Sequence, residues 1–165
     1  SSTSRGLGDV YKRQAQTLSL CNTKNKSITK TYQVSTSKFG IGEINNTFKT
    51  PRGNHCIRAK IGVDAPMNTV FIRRRPTGEI FNEKLRAANP DRDWILTRII
   101  WLSGKEIGFN RLGNVDTMRR YIYIHGSPDG TQMGVPGSIG CIRMLNNDVI
   151  DLFDKVLVGD SVQII

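Results

Sequence analysis

Cysteine, histidine and acid are scarce in this 165-residue chain, which holds three cysteines, two histidines and 14 Asp+Glu against 24 Lys+Arg. Three cysteines are too few to staple a small disulfide scaffold, and an odd number leaves at least one thiol free or paired between chains. Long hydrophobic runs are missing as well. The most apolar window, Trp94 to Leu102, is broken by Arg98 and falls far short of the roughly 18 uninterrupted apolar residues a spanning helix needs. Aromatics make up only 7% of the chain, and there is no RNA-recognition signature or recognition-helix pattern. Nucleic acid is therefore a poor partner despite the net charge of +10. What is present is a hydrophobic content of 38%, enough to bury a core, in a length that suits one domain. The positive charge, concentrated at Arg73-Arg74-Arg75 and Arg119-Arg120, points to an anionic surface or polymer.

Residues 1–14 show neither apolar periodicity nor the hydrophobic stretch of a secretion signal. They read as a non-native or disordered leader contributing +2 of the net charge, with the native amino terminus missing and the folded domain spanning 15–165. From Ala15 onward, short β-type runs alternate with Gly, Pro and Asn. Strands are expected at 16–21, 28–35, 55–61, 94–102, 120–124, 140–144 and 161–165, with a turn at Lys24-Asn25-Lys26 and a glycine-rich middle of little periodicity. The clear helix spans 147–158. Val149, Ile150, Leu152, Phe153, Val156 and Leu157 form its apolar stripe, Asn146 is its expected cap, and Gly159 marks its end. The fold class that follows is mainly β, a sandwich of mixed sheets with a helix of the C-terminal region packed against it.

The densest stretch runs from Tyr121 through Ile124-His125-Gly126 and a Gly/Pro loop to Ser138-Ile139-Gly140-Cys141-Ile142-Arg143-Met144. Two antiparallel strands joined by that loop would bring the imidazole of His125 to the thiol of Cys141. Such pairing is what thiol chemistry needs, because a free cysteine is only slightly ionised at neutral pH. A glycine before the nucleophile lets a carbonyl approach the backbone, where the N–H groups of Cys141 and Gly140 can receive an oxyanion. Arg143, two residues on, shares the face of Cys141 and can hold a carboxylate.

These residues resemble the active-site signature of the L,D-transpeptidase catalytic domain (YkuD-type) of bacterial cell-wall enzymes, and Val34-Ser35-Thr36-Ser37, Thr50-Pro51-x-Gly53, Arg58-x-Lys60-Ile61-Gly62, Asp93-Trp94-Ile95-Leu96-Thr97-Arg98 and Val115-Asp116-Thr117 extend the likeness. The resemblance implies a transferase in which Cys141 attacks the L-centre diaminopimelate carbonyl of a peptidoglycan tetrapeptide stem and forms a thioester. In that scheme His125 is the base, the carbonyl of Gly126 orients it, Gly140 and Cys141 supply oxyanion donors, and Ser138, Ile139 and Arg143 contact substrate. The acceptor would be a second stem, a wall-anchored protein lysine or, in a carboxypeptidase, water. No metal or organic cofactor is needed. The implied location is the periplasm or cell wall.

One position departs from the family pattern: Ile139 stands where most members have His. The nucleophile and base are retained, but a secondary contact is lost, so a catalytically weakened wall-binding module is the rival from another class. Two other readings remain. His55-Cys56 with His125 and Cys141 could be a zinc set, although adjacent strand residues point to opposite faces; the alternative is an ordinary strand histidine near the cleft. Cys21 and Cys56 are either buried packing thiols or a disulfide pair.

Overall fold

The structure is a computed structural model that describes residues 6–7 and 15–165. The remainder of the expected leader lies outside the described residues. Among the described residues, ten strands form one continuous mixed sheet: β1 (Gly6–Leu7), β2 (Thr17–Cys21), β3 (Ile28–Gln33), β4 (Gly53–Ile61), β5 (Thr69–Ile72), β6 (Arg75–Ile80), β7 (Ile95–Gly104), β8 (Tyr123–Gly126), β9 (Ile142–Met144) and β10 (Ser161–Ile164). Two α-helices, α1 (Glu83–Ala88) and α2 (Asn146–Lys155), and a short 3-10 helix at Gly113–Val115 accompany them among the described residues.

Alternation in the sequence sets the inward faces. Leu18 and Leu20 of β2 and Val162 and Ile164 of β10 are buried while their neighbours are not. β7 is buried along nearly its whole length because it is central, flanked by β4 and β5 along one edge and β8 along the other. Beyond β3, Ser35 bridges to Arg143 of β9, so the sheet folds over and closes on itself. The main core fills this closure, and α2 adds Val149, Leu152 and Phe153 to it. Burying each such side chain is worth about 1.5–3 kcal/mol.

Several expectations need correcting. The stretch 69–88, for which no element is expected, holds the β5–β6 hairpin and the short α1, capped by Asn82, whose side chain accepts from the Leu85 N–H at 2.8 Å. Its two-residue turn has Arg73 and Arg74 at φ 50° and 65°, a left-handed pair that normally calls for Asn-Gly, so no turn signal was visible. The strand expected at 120–124 runs from Tyr123 to Gly126, and that expected at 140–144 starts at Ile142, leaving Cys141 just ahead of it. β8 and β9 are parallel, not antiparallel. A tight hairpin takes only a few residues, whereas the segment between them runs beside Val34–Lys38 before returning, which is a crossover.

Helix α2 begins one residue earlier than expected and ends at Lys155, with Leu145 at its N-cap and no side-chain cap there. Asn146 is buried and bonded elsewhere. The helix ends before Gly159, and Lys60 Nζ donates to the Val156 carbonyl at 2.8 Å, a cation on the negative end of the helix.

Candidate active site

His125 lies on β8 with Ile99 of β7 on one side and Arg143 of β9 on the other. It is fully buried, and its Nδ1 lies 2.6 Å from the Gly126 carbonyl. A carbonyl can only accept, so Nδ1 carries the proton and Nε2 presents a lone pair. Burial holds this imidazole below its ordinary value, against opposing pulls from the Asp93 carboxylate and the Gly126 carbonyl. The ring is therefore neutral at neutral pH.

Close packing beneath His125 fixes its strand. A Cβ on Gly126 would collide with the Asn146 side chain and come within 2.6 Å of the Leu96 carbonyl, so no larger residue fits. Asn146 Oδ1 accepts from Thr97 Oγ1 at 2.6 Å and its Nδ2 donates to Asn68 Oδ1 at 2.9 Å. Thr97 is a β-branched residue at φ 76°, inside a break of register between β7 and β8. That conformation is costly, and its three partners, Asn68, Asn146 and the wall of Gly126, hold it in place.

Cys141 is half-buried against Phe71, Ile99 and Tyr123. Its sulfur accepts from the Tyr123 N–H at 3.3 Å, and its S–H lies 3.4 Å from the Tyr121 carbonyl. Loss of water around the sulfur pushes the thiol up to about 12, with Asp93 adding to the rise while the Tyr123 N–H and the guanidinium groups of Arg143 and Arg120 oppose it. The resting pair is thus a neutral thiol and a neutral imidazole.

The loop that leads into Cys141 is braced from two sides. Ser138 is buried: its hydroxyl donates to the Cys141 carbonyl at 2.5 Å and accepts from the Gly140 N–H at 3.2 Å. Thr50 donates to the Gly140 carbonyl at 2.9 Å and accepts from the Ser37 N–H at 3.0 Å. Gly140 sits at φ 131°, in the range that favours glycine. Of the residues expected to contact substrate, Arg143 and the exposed Ile139 line cavities, while Ser138 faces inward. Arg143 donates to the Gly137 carbonyl at 3.0 Å and pairs with Asp93 at 3.3 Å.

Sequence reasoning did not single out Thr50, Arg120 or Asp93 as members of the site. Thr50-Pro51-x-Gly53 was the available signal for the first. Arg120 reaches the carbonyls of Gly42, Glu43 and Lys49 and thereby secures the loop that carries Phe48. A cavity of about 400 Å³ over Cys141 is lined by Phe48, Asp93, Arg120, Tyr121 and Ile139 together with Arg73 and Arg74 of the hairpin turn.

The second histidine is separate. His55 on β4 has Nδ1 3.0 Å from the Gly53 carbonyl and Nε2 2.9 Å from Thr117 Oγ1, so both nitrogens are engaged, and burial pushes it down to about 4. It is a core residue of the β4 corner. Cys21 and Cys56 are half-buried, free thiols.

The sequence matches the L,D-transpeptidase catalytic domain family (YkuD) over residues 9–164. The chain belongs to that family. Solved structures share the L,D-transpeptidase fold at low identity. Bdellovibrio bacteriovorus Bd1075 superposes over 100% of this chain and 48% of its own, with a TM-score of 0.58 and 14% identity. An Enterococcus faecium L,D-transpeptidase does so over 100% and 50%, at 0.55 and 13%. One from Mycobacterium smegmatis does so over 99% and 58%, at 0.54 and 17%. The chain therefore spans about half the length of these relatives, and such identities speak to fold alone. No curated protein matches the chain.

Proposed function

We propose that this L,D-transpeptidase-family domain is a cysteine transpeptidase acting on peptidoglycan stem peptides in the periplasm or cell wall. The observation that carries the reading is the locked tautomer of His125: Nδ1–H is fixed on the Gly126 carbonyl, so Nε2 is the basic nitrogen, on the strand next to the one that Cys141 precedes. The Gly126 carbonyl thus does the orienting that a carboxylate does in a conventional triad.

In the first half-reaction, Cys141 sulfur forms a bond to the carbonyl carbon on the L-centre of diaminopimelate as its proton passes to His125 Nε2. The Cys141 N–H receives the oxyanion. The Gly140 N–H already donates to Ser138 Oγ, so it joins only if that hydroxyl releases it. The C–N bond to the terminal D-alanine then breaks, its electron pair stays on nitrogen, and that nitrogen takes the proton from the imidazolium. A thioester on Cys141 remains. In the second half, an amine acceptor replaces sulfur and gives a cross-link or an anchored protein.

The assay that tests this follows purified domain and a disaccharide-tetrapeptide by mass spectrometry. A dimer with loss of alanine is expected, and it disappears in Cys141→Ala. A tripeptide product instead assigns an L,D-carboxypeptidase. Turnover indistinguishable between wild type and Cys141→Ala overturns both enzymatic readings in favour of a wall-binding module.

A further inference from the structure

Among the described residues that line the cleft, Asp93 is the one carboxylate, set among six arginines. It borders two cavities: the one of about 400 Å³ over Cys141, which also holds Arg73, Arg74 and Arg120, and a second of about 230 Å³ that holds Arg86, Arg92 and Arg143. The two spaces meet at Asp93, which shares the larger one with Cys141. Its charge is felt at both Cys141 and His125. Its carboxylate lies 3.3 Å from Arg143 Nη2, and both side chains keep solvent contact, at 38% and 23% exposed. An ion pair so exposed and long contributes little to stability and is readily opened. What it offers is a negative and a positive group side by side at the reacting centre, the complement of an ammonium and a carboxylate carried on one carbon.

We propose that the Asp93–Arg143 pair selects the acceptor, Asp93 holding its ammonium and Arg143 the carboxylate on the same carbon. This rests on the transpeptidase reading above and decides among its acceptors. A zwitterionic amino-acid centre of a second stem satisfies both charges. A protein lysine ammonium satisfies Asp93 alone and leaves Arg143 without a substrate carboxylate, and water satisfies neither.

Asp93 also places the nitrogen where the chemistry needs it. The bound ammonium gives one proton to His125 Nε2, and the freed lone pair forms the C–N bond at the thioester carbon. The C–S bond breaks with its electrons on sulfur, the imidazolium reprotonates that sulfur, and the remaining excess proton leaves to solvent. The product is an amide and the free thiol.

The test uses acyl-enzyme made from tetrapeptide and offers it two acceptors at equal concentration, a second tetrapeptide with a free zwitterionic centre and Nα-acetyl-L-lysine methylamide. Wild type is expected to favour the zwitterion at least about tenfold. Asp93→Asn is expected to raise KM for that acceptor and to lower the ratio of transfer to hydrolysis by about tenfold or more, and Asp93→Glu to recover part of the loss. Equal use of both acceptors by wild type, or an unchanged ratio in Asp93→Asn, overturns the inference while leaving the transpeptidase reading intact. Wild type that forms no acyl-enzyme overturns that reading, and this inference with it.

Discussion

Two buried histidines on different strands of one sheet make a controlled comparison. Both donate from Nδ1 to a carbonyl close by in sequence, His55 to Gly53 and His125 to Gly126. Both are held below their ordinary value chiefly by burial. They part at Nε2. In His55 it takes the Thr117 hydroxyl, and the ring is a closed structural unit. In His125 it lies on the strand paired with β9, which Cys141 directly precedes, and the ring feels the charges of Asp93 and Arg143. Burial and a lowered value therefore do not mark a base by themselves. What marks one is a nitrogen whose partner the protein leaves to the substrate.

The sharpest break in the comparison is removal of each ring in turn. His125→Ala is expected to cost about 10²–10⁴-fold in tetrapeptide turnover with little change in fold. His55→Ala is expected to act on stability instead, with activity per folded molecule retained. Urea denaturation and the mass-spectrometric assay on the same preparations separate the two, and equal loss of activity in both would end the distinction.

A smaller effect concerns acid. His55 stands at about 4 in the folded chain against roughly 6.5 unfolded, so between those values the unfolded state binds more protons. Its contribution is complete above about pH 6.5 and is lost as pH falls toward 4, roughly 3 kcal/mol in all. His125 adds in the same direction. Urea midpoints measured from pH 7 to 4 should fall across this window in wild type and fall less in His55→Gln.

The smallest effect expected comes from supplying a third imidazole. Ile139 is 43% exposed, so Ile139→His should leave stability within about 0.5 kcal/mol. Turnover should rise on the order of a few-fold by restoring a polar contact beside the nucleophile. An unchanged rate would show that the position does not limit the reaction.

The sequence revealed strands wherever apolar alternation was clean, as in β2, β4 and β10, and it revealed α2 through its stripe. It concealed the β5–β6 hairpin, because nothing about Arg73-Arg74 advertises a left-handed turn. At the site, His125, Cys141 and Arg143 were legible as a cluster, whereas the relation between their strands was not. Local pattern says that two strands exist, and only the path of the intervening chain makes them parallel. Asn146 shows the same limit. Its position before an amphipathic stripe suggests a cap, and its actual partners, Thr97 and Asn68, lie far away in sequence. Asp93 stood within a motif, but its meaning comes from the arginines gathered around it.

The crossover between β8 and β9 makes the site divisible. His125 lies on β8 and Cys141 directly precedes its neighbour β9, and the loop between them is pinned to the 34–38 segment through Gly134 and Gly137 and exposed at Asp129 and Gly130. A chain cut at that tip would still present the imidazole on its longer piece and the thiol on its shorter one, reunited by the sheet. The exposed tip at Asp129 and Gly130 is thus free to vary in length and sequence, while Gly137, Ser138 and Gly140 stay fixed by their bonds around Cys141 and Arg143.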